Sequence, residues 1–69
     1  MSRIKLLGQN IRKYRKSLGY RQIDLATSLD LSEDYICRIE NGKKFISLRK
    51  LFQLADILQV KVTDLIDFD

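Results

Sequence analysis

The sequence contains no histidine, proline or tryptophan, one cysteine and only three glycines in 69 residues. Without histidine the commonest general base is missing. Cys37 cannot form an internal disulfide, and alone it cannot assemble a zinc site of the usual Cys/His kind. No G-x-S-x-G turn, P-loop or GxGxxG is present, and the carboxylates read as helix-end or surface charge. Neither an enzyme, nor a cofactor or metal, nor a small-molecule ligand is expected. Nowhere do 18 apolar residues follow one another, and no apolar run follows the charges at Arg3 and Lys5. The expectation is a cytoplasmic chain that avoids membranes. Strict alternation of apolar and polar residues is also missing, which argues against strands.

What remains is a small basic chain, 45% apolar, with 13 Lys and Arg against 9 Asp and Glu. It reads as one domain, residues 1–69. A chain of this size buries only about 60% of the surface its unfolded form exposes, so a partner or a second copy is expected. Charge is unevenly spread. Residues 1–21 carry seven bases, among them Arg12 and Arg21, and no acid. Residues 22–37 carry four acids and no base, residues 38–50 are again basic, and residues 51–69 are acidic. Two basic edges bracketing an acidic insert suggest contact with a polyanion, though solvated helix faces would look the same.

Apolar spacing divides the chain into helices. Ile4, Leu7, Ile11, Tyr14 and Leu18 line one face of a first helix ending at Gly19. Ile23, Leu25, Ala26 and Leu29 mark a second near 21–29. Ser32 can cap a third near 33–41, with Leu31 and Ile36 as a hydrophobic staple, Ile36 and Ile39 inward, and Asn41-Gly42 as its stop. Ser47 can cap a fourth near 48–58, with Ile46 and Leu51 as a second staple. Its expected buried stripe is Leu48, Leu51, Ala55 and Leu58. Val62 to Asp67 suggests a short fifth helix. The fold class is all-α, and helices 2 and 3, joined by Asp30-Leu31-Ser32, have the form of a helix-turn-helix.

The run Arg15-x-x-x-Gly19-x-x-Gln22-x-x-Leu25-Ala26, then Leu31-Ser32, then Tyr35-Ile36-x-x-Ile39-Glu40-Asn41-Gly42, resembles the Cro/C1-type (XRE-like) helix-turn-helix family. Ser47-Leu48, Leu51, Ala55, Leu58, Val60 and Leu65 extend the resemblance over nearly the whole chain. Its size and the Tyr35-Ile36 pair also resemble the controller proteins of restriction-modification systems. The resemblance implies a five-helix, phage-repressor-like DNA-binding domain, usually a homodimer on a palindromic operator in double-stranded DNA. By position it implies a backbone phosphate at Gln22, DNA-facing roles for Ser32, Glu33, Asp34, Tyr35 and Arg38, and adjacent phosphates for Asn41, Lys43 and Lys44. It also implies a partly buried ion pair between Arg15 and Glu40. Four positions depart from the pattern: Arg21 and Lys61 replace helix caps, Asp30 replaces a turn glycine and Ile46 a proline. Helix 2 is expected to lose a capping bond and helix 5 to fray.

Each candidate has a plainer reading. Gln22 suits a helix start without any ligand, and Lys43 and Lys44 could merely solvate a loop. Glu33 and Asp34 favour the N-terminal end of helix 3 through its dipole, or one accepts from cytosine N4. Arg38 is the foremost base reader, able to donate twice to guanine, or else it binds a phosphate or pairs with Asp34 four residues back. Tyr35 either packs its ring or offers its hydroxyl to a phosphate. Cys37 reads as a small neutral residue facing solvent or DNA. Phe52, Leu54 and Ile57, together with Leu65, Ile66 and Phe68, exceed what one buried stripe requires, so a dimer interface is expected at Leu65, Ile66 and Phe68. The implied function is operator occupancy by a transcriptional regulator responding to its own concentration. The competing reading is a protein-interaction module, such as an antitoxin or adaptor, on the same fold.

Overall fold

The computed structural model describes residues 2–68, and Met1 and Asp69, the ends of the expected 1–69 domain, lie outside them. Among the described residues there are five α-helices and no strand: α1 (Arg3–Ser17), α2 (Gln22–Leu29), α3 (Glu33–Glu40), α4 (Leu48–Leu58) and α5 (Val62–Ile66).

Local chemistry accounts for where they begin. Ser2, Ser32 and Ser47 each accept a hydrogen bond from the backbone N–H three residues on, at 3.3, 3.1 and 3.2 Å. Arg21 and Lys61 carry no acceptor, so α2 and α5 lack that bond, as expected. Both are instead closed from the third helical residue. Asp24 accepts from the Arg21 N–H at 2.8 Å and Asp64 from the Lys61 N–H at 3.0 Å, half of a capping box in each case. This bond closes the start of α5, where Lys61 replaces the usual cap. The Arg21 side-chain hydrogen bond, reinforced by its backbone N–H, also holds the Asp24 carboxyl below its ordinary value of 3.8.

The ends of α1 to α4 share one device. In each, a residue at positive φ (Gly19, Asp30, Gly42 and Gln59) reverses the chain, and the next N–H returns to a carbonyl five residues back. Those bonds are Tyr20 to Arg15, Leu31 to Ala26, Lys43 to Arg38 and Val60 to Ala55, at 2.8 to 3.1 Å. This is the Schellman arrangement, in which an apolar residue normally follows the turn and packs back. Tyr20, Leu31 and Val60 do pack against the core. Lys43, after α3, is exposed.

The core is built from Ile11 of α1, Leu25, Ala26 and Leu29 of α2, Ile36 and Ile39 of α3, Leu51, Leu54, Ala55 and Leu58 of α4, and Leu65 of α5. Two expectations are corrected here. The inward stripe of α4 is 51, 54, 55 and 58, a complete i, i+3, i+4, i+7 set. Leu48 stands apart from it in the first turn, 66% exposed. Leu65 is fully buried, because it is the one inward residue of a five-residue helix docked on α1 and α4, so it cannot contribute an interface. Ile66 is 45% exposed and Phe68 half-buried.

Side chains also satisfy helix-end carbonyls across the fold. Lys50 Nζ donates to the Leu29 carbonyl at 2.5 Å, beside the turn between α2 and α3. Asn10 Nδ2 donates to the Leu65 carbonyl at 2.8 Å, tying α5 to α1. Gly8 lies where α1 crosses the end of α3. A Cβ there would stand against the Ile39 carbonyl oxygen and 2.6 Å from that of Glu40. Glycine weakens a helix interior, so its presence here reflects this close approach.

Gly8→Ala is expected to destabilise despite its better helix propensity, since the clash is with backbone and overpacking costs about 1–3 kcal/mol. Gln59→Gly relieves a left-handed non-glycine residue and is expected to add up to about 1 kcal/mol. Thermal unfolding followed by circular dichroism should move in opposite directions for the two, by about 4–8 °C per kcal/mol in a domain of this size.

Candidate nucleic-acid interface

The site is organised from within by a buried charge cluster. Arg15, in the last turn of α1, donates from Nε to Glu40 Oε2 at 2.7 Å and from Nη2 to Glu40 Oε1 at 3.1 Å. Its Nη1 donates to the Tyr20 carbonyl at 2.8 Å, while the Tyr20 N–H returns to the Arg15 carbonyl. Gln22 Nε2 completes the cluster, donating to Glu40 Oε1 at 3.1 Å. The two charged side chains are only 8% and 1% exposed, and no buried side-chain nitrogen or oxygen among the described residues lacks a partner. The Arg15–Glu40 pair thus joins the end of α1, the turn after it, the start of α2 and the end of α3. Removing a partner from such a pair strands a charge without water, which is far costlier than losing an exposed pair.

With Ile36, Ile39 and Glu40 turned inward, α3 presents Glu33, Asp34, Arg38 and, at its end, Asn41 to solvent. Asp34, Cys37, Arg38 and Asn41 follow one another at the i, i+3, i+4, i+7 spacing of a single helix face. Arg38 Nε donates to Asp34 Oδ2 at 2.8 Å, and Asn41 Nδ2 approaches Cys37 Sγ at 3.5 Å. Ser32 spends its oxygen on capping α3. The Tyr35 ring packs against the core while its hydroxyl donates to the Phe45 carbonyl at 3.0 Å, which supports the α3–α4 loop. Lys43 and Lys44 are exposed on that loop. Arg12 is exposed on α1. Arg21 pairs with Asp24 through Nε and Nη2, at 3.3 and 3.1 Å.

This is a helix-turn-helix whose second helix projects an exposed polar face. The sequence pattern of the helix-turn-helix family matches residues 11–65, from the α1 core residue Ile11 to the α5 core residue Leu65. The chain belongs to that family. It is 38% identical over 64 residues to the control protein C.BamHI of Bacillus amyloliquefaciens, covering 91% of this chain and 79% of that one. Among solved structures it is similar to the restriction-modification controller protein C.AhdI from Aeromonas hydrophila, at a TM-score of 0.83 and 29% identity, covering 90% of this chain and 94% of that one. It is also similar to the biofilm master regulator SinR in complex with DNA, at a TM-score of 0.76 and 33% identity, covering 86% and 95%. No helix among the described residues is long and apolar enough to cross a membrane.

In this helix-turn-helix chain several contributors to the site's geometry escape sequence reasoning. Gln22, expected to meet a phosphate, already gives one amide hydrogen to Glu40. Tyr35 adopts neither reading alone, since it packs its ring and also bonds a carbonyl. Lys50 and Gly8 support α2 and α3 from elements distant in sequence, and nothing local signals either role.

Glu40→Ala is expected to cost about 3–5 kcal/mol, a large part of a small domain's total stability, because it leaves the Arg15 guanidinium buried without its carboxylate. Denaturant unfolding should also show that Arg15→Ala costs much less in the Glu40→Ala background than in the parent. Independent, additive losses would mean that the pair contributes no coupling.

Proposed function

We propose that this DNA-binding transcriptional regulator acts by occupying a palindromic operator as a homodimer, with α3 in the major groove, and so responds to its own concentration. The observation that carries the reading is the exposed face of α3, with Asp34, Arg38 and Asn41 in line and Lys43 and Lys44 following, on a helix held in place by buried charge. A second helix of this type enters the major groove with its early residues against base edges. Under this reading Arg38 donates to a guanine. Gln22 offers its remaining amide hydrogen to a backbone phosphate, and Arg12, Arg21, Asn41, Lys43 and Lys44 contact phosphates as well. Glu33 and Ser32 act chiefly at the start of α3, one through its charge and the other through its cap. A control protein among the relatives and a DNA complex among the structural neighbours support the assignment.

The dimer reading rests on apolar surface that the fold leaves uncovered. Phe45 is 78% exposed, and it lines one shallow apolar depression with Ile4, Leu7, Ile66 and Phe68 beside Arg3. Leu48 and Phe52 lie one turn apart at the start of α4, 66% and 53% exposed. A second copy related by a two-fold axis could cover these side chains, and the operator reading requires that it set the two α3 helices about 34 Å apart, one turn of DNA.

Footprinting on the DNA upstream of its own coding sequence should show two protected half-sites, with affinity falling steeply as salt rises. Lys43→Ala and Lys44→Ala should weaken cognate and random DNA alike, whereas Arg38→Ala should cost about 1–3 kcal/mol on the cognate site alone. Equal loss on both DNAs would remove Arg38 as a base reader.

Sedimentation at micromolar concentration should give a dimer for the parent and a monomer for Ile66→Glu and Phe52→Glu, with loss of operator affinity in the same samples. A parent that stays monomeric without DNA would limit any pairing to the operator-bound state.

A further inference from the structure

We propose that Asp34 is the positioning residue for base reading by α3. Its carboxylate holds the Arg38 guanidinium by Nε and leaves the opposite, Nη1–Nη2 edge to meet a guanine, so that the two residues read one base pair as a unit. The inference rests on the DNA-reading role of α3 proposed above. It makes one arrangement of what sequence offers as rival readings, an Arg38 that binds DNA and an Arg38 that pairs with Asp34.

The distinction lies in which nitrogens are used. A guanidinium presents its five N–H donors in a rigid plane, so engaging one edge fixes where the others point. Arg15 has Nε, Nη1 and Nη2 all committed inside the protein. Arg21 gives both Nε and Nη2 to Asp24 at the start of α2. Arg38 gives only Nε, to Asp34 Oδ2 at 2.8 Å, and its two terminal nitrogens make no hydrogen bond among the described residues. Of these three ion-paired arginines, Arg38 alone lies on α3 and has both terminal nitrogens unbonded among the described residues, the donors that match O6 and N7 of guanine.

Stability does not account for the pair. Both side chains are largely exposed, 55% for Arg38 and 73% for Asp34, and exposed ion pairs contribute little to folding. Orientation is a different matter, because an arginine whose long side chain is ordered before contact loses less freedom on binding. The acidic partner also sharpens discrimination. Asp34 fixes where the Nη1–Nη2 edge points, so the guanidinium cannot swing freely to another acceptor. A base pair without acceptors for that edge therefore leaves its donors unpaired in the groove.

The test starts from the duplex that the parent enriches from a random pool, together with its single-base-pair variants. Affinities are measured for the parent, Arg38→Ala, Asp34→Ala, Asp34→Asn and the double alanine variant, with folding checked by circular dichroism. Arg38→Ala should weaken the selected duplex about tenfold to a hundredfold and flatten preference at one G·C pair. Asp34→Ala should lose several-fold at that same pair and leave random DNA unchanged or bound slightly more tightly. Asp34→Asn, which can still accept from Nε, should recover part of the loss. In the Arg38→Ala background, removing Asp34 should cost nothing further. A preference change at a different base pair, additive losses in the double variant, or tighter selective binding by Asp34→Ala would each overturn the proposal while leaving the DNA-binding reading intact. A parent that enriches no sequence would overturn both.

Discussion

The bidentate pair between Arg15 and Glu40 is the constraint on which the geometry of the recognition helix depends. α2 and α3 are eight residues each, too short to be stable alone, so their relative placement must come from tertiary contacts. Apolar burial holds them together but is non-directional, and a core of Leu, Ile and Ala could accommodate small shifts along either helix. The carboxylate of Glu40 cannot. It accepts from two nitrogens of Arg15 and from Gln22, while the third Arg15 nitrogen is used by the Tyr20 carbonyl. A shift of the end of α3 would leave a buried charge with unmet donors. Gly8 belongs to the same arrangement, since it lets the α1 backbone reach the carbonyls of Ile39 and Glu40.

This division of labour leaves the outer face of α3 largely free of structural duties. Ile36, Ile39 and Glu40 serve the interior, and Tyr35 serves the core and the loop. Among the described residues the side chains of Asp34 and Arg38 hydrogen-bond only to each other. Residues on such a face can be exchanged without disturbing the scaffold, which is how one helix-turn-helix framework carries many binding preferences.

Much of this was legible in the sequence because it is written in local signals. Helix limits followed from serine caps, glycine stops and i, i+3, i+4 spacing, and observed boundaries differ from the expected ones by a residue or so. The left-handed turn at Asp30 was anticipated through the family resemblance, in which a glycine is usual at that position. Leu48 was misassigned through periodicity and Leu65 through a count of apolar residues beyond one buried stripe. Periodicity reports which face of a helix is apolar, not how far along that face the neighbouring elements extend. The contact between Gly8 and the end of α3, the Lys50 bond to Leu29 and the Asn10 bond to Leu65 join residues at least 21 positions apart, and no local pattern encodes them. The Arg15–Glu40 pair was anticipated only through family resemblance, because both residues look like ordinary surface charge.

The α3–α4 loop is fixed at several points along its length. Gly42 lies against the backbone of Lys5, Ile46 packs on the core, and the Phe45 carbonyl is held by the Tyr35 hydroxyl. Lys43 and Lys44 fall between these anchors. Ordering one residue's backbone costs about 1–2 kcal/mol, and a floppy basic loop would forfeit that for every residue it immobilised on a ligand. On the DNA-binding reading proposed above, the main chain is set before a polyanion arrives, so the two lysines lose chiefly side-chain rotamer freedom, about 1.5–2 kcal/mol each at most.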